Sequence, residues 1–231
     1  MDEITFAKKK AADKACEFVE NGMVVGLGTG STAEFAIKRL GERVNEGLDI
    51  RGVPSSEGIA RLAEASRVPL VPYEDFIKGG VDIDIDIDGA DRVDPDFNLI
   101  KGGGGAHVRE KQVATASREF FCVVDETKLV DELAGSFPLP VEVKPDSLGQ
   151  TKQELARYGD VKLRMRERSI FISDNSNYIL DVSLRVGEPL QGLEVDLNRI
   201  PGVVDNGLFT VRKPDVVVVA YFDGRVEVLK R

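Results

Sequence analysis

Between Val81 and Lys111 the chain reads VDIDIDIDGADRVDPDFNLIKGGGGAHVREK, and its chemistry-bearing residues are concentrated there. Val81, Ile83, Ile85 and Ile87 fall on one face of a strand, with Asp82, Asp84, Asp86 and Asp88 on the other. Gly89 breaks the strand and Asp91 follows. Lys101 comes next, then four consecutive glycines, then Arg109-Glu110-Lys111 at the opening of an amphipathic stretch. Carboxylates at a strand's end, a lysine, a run of bare backbone amides and a further glutamate make a set that could handle protons on an anionic substrate.

Each part also has a plainer reading. An Ile/Asp alternation fits a half-solvated strand, which is the expectation for Asp82, Asp84 and Asp86. Asp88 and Asp91 differ: they sit at and beyond the strand's carboxyl end, where ligands bind in open α/β sheets. The glycine run lies between a lysine and a helix start, with no Ser or Pro padding. That context favours close backbone approach to a ligand over a linker. By position alone Glu110 is an ordinary first-turn acid facing the helix dipole, Lys101 is as readily a solvated loop lysine, and His107 is a cap or surface residue. A divalent-metal site on the Asp face is disfavoured, because same-face residues of one strand stand about 7 Å apart.

A second glycine loop, Gly28-Thr29-Gly30-Ser31-Thr32-Ala33, follows a short apolar strand and opens a helix. Backbone amides at a helix N-terminus, with three hydroxyls, suit a phosphate. The loop also fits the loose dinucleotide pattern G-x-G-x-x-A, which expects an acid about 20 residues on, at the end of the next strand. Here that strand ends at Pro54-Ser55-Ser56 and Asp49 lies at its start, so a phosphomonoester is preferred to NAD. The plainer alternative is a helix capped by Ser31 or Thr32.

The elements that must position these groups alternate. Helices are expected over 4–20, 33–44, 57–65 and 107–119, and strands over 23–27, 49–53, 68–71 and 120–124, around the Asp-rich strand. This order argues for a Rossmann-like, mostly parallel sheet with helices on both faces. A central parallel strand should be apolar on both sides, which the aspartates contradict unless they lie near ends or find partners. From Phe137 onward a β-α-β-β-α order (141–143, 148–158, 161–165 with 171–172, 178–184, 193–200) suits a small split βαβ, ferredoxin-like α+β domain. The apolar run 216–222 and a hairpin into 225–229 return to the first sheet. The expected domains are 1–130 with 204–231, and 131–203.

Composition excludes several classes. With 231 residues, 42% hydrophobic content and a net charge of −9, the chain can build a real core but offers no basic tract for nucleic acid or an anionic membrane. No apolar run reaches transmembrane length, the N-terminus lacks a signal core, and the cytoplasm is the expected compartment. Cys16 and Cys122 are far apart in apolar surroundings and read as buried thiols. A single histidine leaves no Ser-His-Asp triad and no His-based metal site.

The chain resembles the type A ribose-5-phosphate isomerase family. The resemblance is carried, in order, by Gly28-Thr29-Gly30-Ser31-Thr32, Asp88-Gly89-Ala90-Asp91, Lys101-Gly102-Gly103-Gly104, Arg109-Glu110-Lys111, Asp125-Glu126-Thr127-Lys128, Ser173-Asp174-Asn175 and Asn206-Gly207-Leu208-Phe209. It implies a cofactor- and metal-free aldose–ketose isomerase of D-ribose 5-phosphate that forms a homodimer or homotetramer. It implies Glu110 as the base, Asp88, Asp91 and Lys101 as ring-opening and polarising groups, and Gly102, Gly103 and Gly104 as an oxyanion hole. It implies Thr29, Gly30, Ser31 and Thr32 as the phosphate cradle, with Lys128 as a helper. Arg92, Asp86 and Gly105-Ala106-His107-Val108 depart from the family pattern and bear on substrate positioning rather than reaction type. Two rivals stand beside this reading, a non-catalytic sugar-phosphate sensor and a dinucleotide-dependent oxidoreductase.

Overall fold

In the computed structural model of the protein, which describes residues 1–79 and 81–231, the Asp-rich strand is Ile83–Asp88, third from one edge of a six-stranded sheet. The strand order is Val226–Lys230, Val216–Ala220, Ser117–Asp125, Ile83–Asp88, Val24–Leu27, Arg51–Pro54. All neighbours run parallel except the edge hairpin strand Val226–Lys230. The chain leaves Val24–Leu27 in one direction and returns on its other side at Ile83–Asp88. Their carboxyl ends therefore flank the point where strand order reverses, the place where open α/β sheets bind ligands.

One face of this sheet packs Val25, Leu27, Ile85, Ile87, Phe121 and Val218 against the helices Glu3–Cys16, Ala33–Asn45 and Glu57–Ala65. On the other face Val24 and Val53 are covered by Phe76 and by Val113 of the helix His107–Ala116. The aspartates share this second face, and the half-solvated expectation holds only at its amino end. Asp82 is exposed and Asp84 pairs with Arg118 at 3.1 Å while accepting the Val24 amide at 2.9 Å. Asp86 is 0% and Asp88 1% exposed. The neighbouring strand makes room for them. Gly26 is the register partner of Asp86, and a Cβ there would come within 2.5 Å of Asp86 Oδ1. A Cβ at Gly28 would lie 2.2 Å from the Asp88 carboxyl.

Several elements end earlier than their periodicity predicts. The first helix stops at Cys16 rather than 20, because Gly22 at φ +87° turns back and donates to Asp49 O at 2.7 Å. The fourth expected helix stops at Ala116, where Ser117 Oγ returns to Ala114 O at 2.7 Å and the chain at once pairs with Ile83. The stretch 68–71 makes a single bridge from Leu70 to Gly52, and the strand expected at 171–172 is reduced to one bridge from Ile172 to Tyr178.

The chain divides into two compact units, 1–90 with 109–129 and 214–231, and 91–108 with 130–213. The second holds a four-stranded antiparallel sheet in the order Val203–Asn206, Leu139–Val143, Tyr178–Leu184, Gly159–Leu163. With the helices Leu148–Leu155 and Leu193–Asn198 this is a split βαβ arrangement, completed by the strand 203–206 that the sequence did not announce. Its core includes Leu139, Val141, Leu155, Leu180, Val182 and Leu197. The expected boundaries need correction: 91–108 and 204–213 cluster with this unit. Leu99–Ile100 pairs with Leu208–Phe209, and Val203–Asn206 pairs with Leu139–Val143. Cys16 and Cys122 are buried thiols, and burial pushes the Cys16 thiol up to about 12, so it stays protonated.

The glycine opposite Asp86 yields a stability prediction. Gly26→Ala forces its methyl into Asp86 Oδ1 and Val113 Cγ1, 2.5 and 2.6 Å away. Overpacking of this kind costs about 1–3 kcal/mol, and each kcal/mol lowers the melting temperature of a chain this size by roughly 2–4 °C. A thermal melt at neutral pH checks it; an unchanged midpoint would mean that Asp86 can relocate without cost.

Candidate active site

In the first unit, the carboxyl end of Val24–Leu27 runs into the loop 28–32 and then the 13-residue helix Ala33–Asn45. Thr32 at the helix start has helical backbone angles and makes no side-chain cap, so the alternative of a side-chain-capped helix does not describe this end. Four amides of a helix's first turn have no intrahelical acceptor, and the dipole favours an anion there. Gly30 holds φ +133° with no atom within 4 Å of its missing side chain. Thr29 N donates to Asp88 Oδ1 at 3.0 Å, and Gly89 N to the same oxygen at 2.7 Å. The Asp88 carboxylate is thereby tied to the loop. Thr29 Oγ1 meets Ser55 Oγ at 2.8 Å and Ser56 Oγ at 3.0 Å, while Ser56 caps the helix Glu57–Ala65 through the Ile59 amide. Ser31 is exposed and accepts from Lys8 Nζ at 2.9 Å. Glu110, in the first turn of His107–Ala116, is 3% exposed. Lys128 lies half-buried in the turn Glu126–Lys128, which Asp125 caps through the Thr127 amide at 3.0 Å.

In the second unit, Lys101 is 2% exposed although it follows a short strand into a loop. The solvated-lysine reading is therefore wrong. Its amide donates to Gly207 O at 2.9 Å, and its Nζ stands 5.6 Å from the centre of the Phe209 ring. Gly207 is required there, since a Cβ would lie 2.2 Å from Lys101 O. Gly102 has φ +100° and would drive a Cβ into the His107 ring. Gly103 donates its amide to Asp91 Oδ2 at 2.7 Å, and both Gly103 and Gly104 are exposed. Lys101, Asp91 and the glycine amides are thus one local assembly. His107 is not a surface residue: it is 0% exposed, with Nε2 3.4 Å from Asp205 O.

Five residues take places that local sequence reasoning did not show. Asp86 was read as solvated; the signal available was the glycine at the matching position of the preceding strand. Ser55 and Ser56 are expected as a turn that caps the helix 57–65, which Ser56 does; their closeness to Thr29 follows from the Leu27–Pro54 register. Lys8 reaches Ser31 from a helix 23 positions earlier. Arg164, between the strands Gly159–Leu163 and Met165–Arg166, donates to the carbonyls of Gly102 and Gly103, and nothing in its local sequence marks it. Among the described residues no group of three or more His, Cys, Asp or Glu side chains could hold a metal ion, and no helix is long and apolar enough to cross a membrane.

A family model described as ribose 5-phosphate isomerase A (phosphoriboisomerase A) matches residues 51–224. Ribose-5-phosphate isomerase A of Listeria monocytogenes serotype 4b (strain CLIP80459) is 44% identical over 226 residues, covering 97% of this chain and 98% of its own. The solved ribose 5-phosphate isomerase A of Methanocaldococcus jannaschii matches with a TM-score of 0.90 at 41% identity, covering 97% of this chain and 98% of that one. A D-ribose-5-phosphate isomerase solved in complex with phospho-erythronic acid matches with a TM-score of 0.92 at 40% identity over 100% of both chains.

The segment Ser173-Asp174-Asn175 serves a buried carboxylate in the second unit. Glu142 is 0% exposed on a central strand. Its Oε1 accepts from Asn175 Nδ2 at 3.1 Å and Asn177 Nδ2 at 2.8 Å, and Ser173 Oγ accepts the Asn175 and Asn177 amides. Burial pushes the Glu142 carboxyl above its ordinary range, the amide and hydroxyl hydrogen bonds only partly oppose this, and Asp205 adds to the rise. A carboxyl raised on folding stabilises below its unfolded pKa and loses that contribution as pH climbs through the folded value. Glu142→Gln removes the charge and keeps an acceptor. It should therefore match or exceed wild-type stability at pH 8 and lose that advantage toward pH 4. Denaturant melts across that range check the sign; a variant least stable relative to wild type at pH 8 would show that the ionised form is the stabilising one.

Proposed function

The chain belongs to the ribose 5-phosphate isomerase A family, and on that premise we propose how its own residues interconvert D-ribose 5-phosphate and D-ribulose 5-phosphate. The phosphate sits on the amides and hydroxyls of Thr29, Gly30, Ser31 and Thr32, with Lys8 and Lys128 supplying local positive charge in an acidic protein. Asp88, Asp91 and Lys101 open the sugar ring and polarise the oxygens. Glu110 takes the proton from C2 and returns it to C1 through an enediolate, and the reverse. The amides of Gly102, Gly103 and Gly104 receive the enediolate charge.

The observation that carries this reading is the burial of Glu110. A first-turn glutamate that served only the helix dipole would lie in solvent, where its charge costs nothing. Glu110 is 3% exposed, and burying a carboxylate is costly enough that such positions concentrate at functional sites. Lys101, at 2%, adds a buried cation of matching use. We further propose that the protein works in the cytoplasm as a homodimer or homotetramer, that segment 131–203 contributes to assembly, and that it has no nucleic-acid partner. The net charge of −9 supports the last point.

Incubation of purified protein with ribose 5-phosphate, following ribulose 5-phosphate, tests the activity, and exhaustive chelation should leave it intact. Loss of turnover with EDTA, restored by a divalent ion, would overturn the mechanism. Glu110→Gln keeps shape and hydrogen bonding but removes the base. Positioned acid–base groups are worth about 10²–10⁴ in rate, so kcat should fall by at least that order while KM changes little. Exchange of solvent deuterium into the sugar should disappear with turnover. A variant keeping more than about a tenth of kcat, less than the loss of a base should cause, moves the role to Asp88 or Asp91. Ser31→Asp puts a carboxylate into the phosphate loop and should raise KM strongly in a folded protein; an unchanged KM would place the phosphate elsewhere.

A further inference from the structure

Arg164 lies within the second unit with its side chain only 13% exposed. Its Nε donates to Asp181 Oδ2 at 2.9 Å, and its Nη2 pairs with Asp181 Oδ1. A bidentate pair of this kind fixes the plane of the guanidinium. The remaining nitrogen, Nη1, donates to Gly102 O at 2.8 Å and to Gly103 O at 3.2 Å. The group also stands 5.8 Å from the Phe171 ring centre, and Phe171 fills the space beside Gly105, where a Cβ would lie 2.4 Å from its ring. An arginine placed only for an ion pair would be satisfied by Asp181 and water. This one commits a half-buried donor to two successive carbonyls of one glycine loop.

The consequence follows from peptide geometry. A trans peptide carries its C=O and N–H on opposite sides. Drawing the carbonyls of Gly102 and Gly103 to one cation turns the N–H groups of Gly103 and Gly104, the other ends of the same two peptides, away from it. Hydrogen bonding at the carbonyl polarises each peptide and strengthens its N–H as a donor. The Gly103 N–H meets Asp91 Oδ2 on that far side.

We propose that Arg164 is a positioning residue for the isomerisation: anchored by Asp181, it fixes and polarises the 102–103 and 103–104 peptides so that the loop amides are aimed before substrate arrives. This rests on the reading that those amides receive the enediolate charge. Four glycines would otherwise sample many conformations, and a misplacement of about 1 Å far from the chemistry can cost about 10²-fold in rate.

The test compares wild type with Arg164→Met, Arg164→Lys and Asp181→Asn. The readouts are kcat, KM for ribose 5-phosphate, and inhibition by phospho-erythronate and by inorganic phosphate. Arg164→Met should lower kcat by about 10²-fold and weaken phospho-erythronate by a similar factor, because its carboxylate stands in for the enediolate oxygens. KM and inhibition by inorganic phosphate should stay close to wild type. Arg164→Lys keeps the charge but not the fork and should fall between, as should Asp181→Asn; these two carry the test if Arg164→Met does not fold. Added guanidinium ion should restore part of the Arg164→Met rate. Folded variants with wild-type kcat and phospho-erythronate inhibition would overturn the role of Arg164, as would losses shared equally by inorganic phosphate. A wild-type enzyme that binds phospho-erythronate no more tightly than inorganic phosphate would instead overturn the loop-amide reading on which the role rests.

Discussion

The first unit depends on a steric exchange between two adjacent parallel strands. Ile83–Asp88 places two carboxylates on a covered face, and Val24–Leu27 with its following loop surrenders two side chains to hold them. Gly26 sits opposite Asp86 and Gly28 opposite Asp88, each with no space for a methyl. Central parallel strands are normally apolar on both faces, because helices cover both. Here one face keeps that rule through Ile85 and Ile87. The other breaks it toward its carboxyl end, where the loop 28–32 begins. The Thr29 and Gly89 amides then converge on Asp88 Oδ1, so the residue that breaks the packing rule also orders the start of the glycine loop.

The electrostatics follow the same local logic. A chain of net charge −9 repels an anionic substrate at long range. Attraction must come from fixed dipoles and a few cations at short range, inside the roughly 8–10 Å over which salt leaves charges unscreened. The uncapped start of Ala33–Asn45 supplies amides without adding a formal charge, and Lys8 stands at Ser31. In the second unit Lys101 is buried against Phe209. Its charge acts in a medium of lower dielectric, where each interaction is stronger than in water.

Much of this was legible in the sequence, and the limits were physical. The alternation of strands and helices and the glycine loop after the first strand depend on local pattern, and local pattern is what a sequence displays. The end of the helix at Ala116 was missed because helix periodicity continues past it; pairing of Ser117 with Ile83 overrides propensity. The domain boundary was missed because two-residue strands such as Leu99–Ile100 and Leu208–Phe209 carry almost no periodicity. Asp86 was misjudged because burial of a carboxylate depends on the neighbouring strand's register, which places Gly26 rather than a larger residue beside it. His107 was misjudged for a related reason, and the solvated alternative for Lys101 fails with it: Asp205 O stands beside the His107 ring and Gly207 O accepts the Lys101 amide.

The glycine loop shows why such contributors cannot be seen locally. Glycine costs about 0.5–1 kcal/mol more than alanine in lost backbone freedom when it is ordered, so a run of four should be disordered unless it is held from outside. Gly102 and Gly105 are glycines because their φ values, +100° and +84°, and the contacts with His107 and Phe171 exclude a side chain. Gly103 is one because Asp91 occupies its Cβ position. The ordering comes from groups far away in sequence: Gly207 binds the Lys101 amide, and Arg164 binds two loop carbonyls. The loop's own sequence records only the permission to come close. What comes close, and which way the amides then face, is written at Arg164 and Gly207, far along the chain, and only the fold brings that information back.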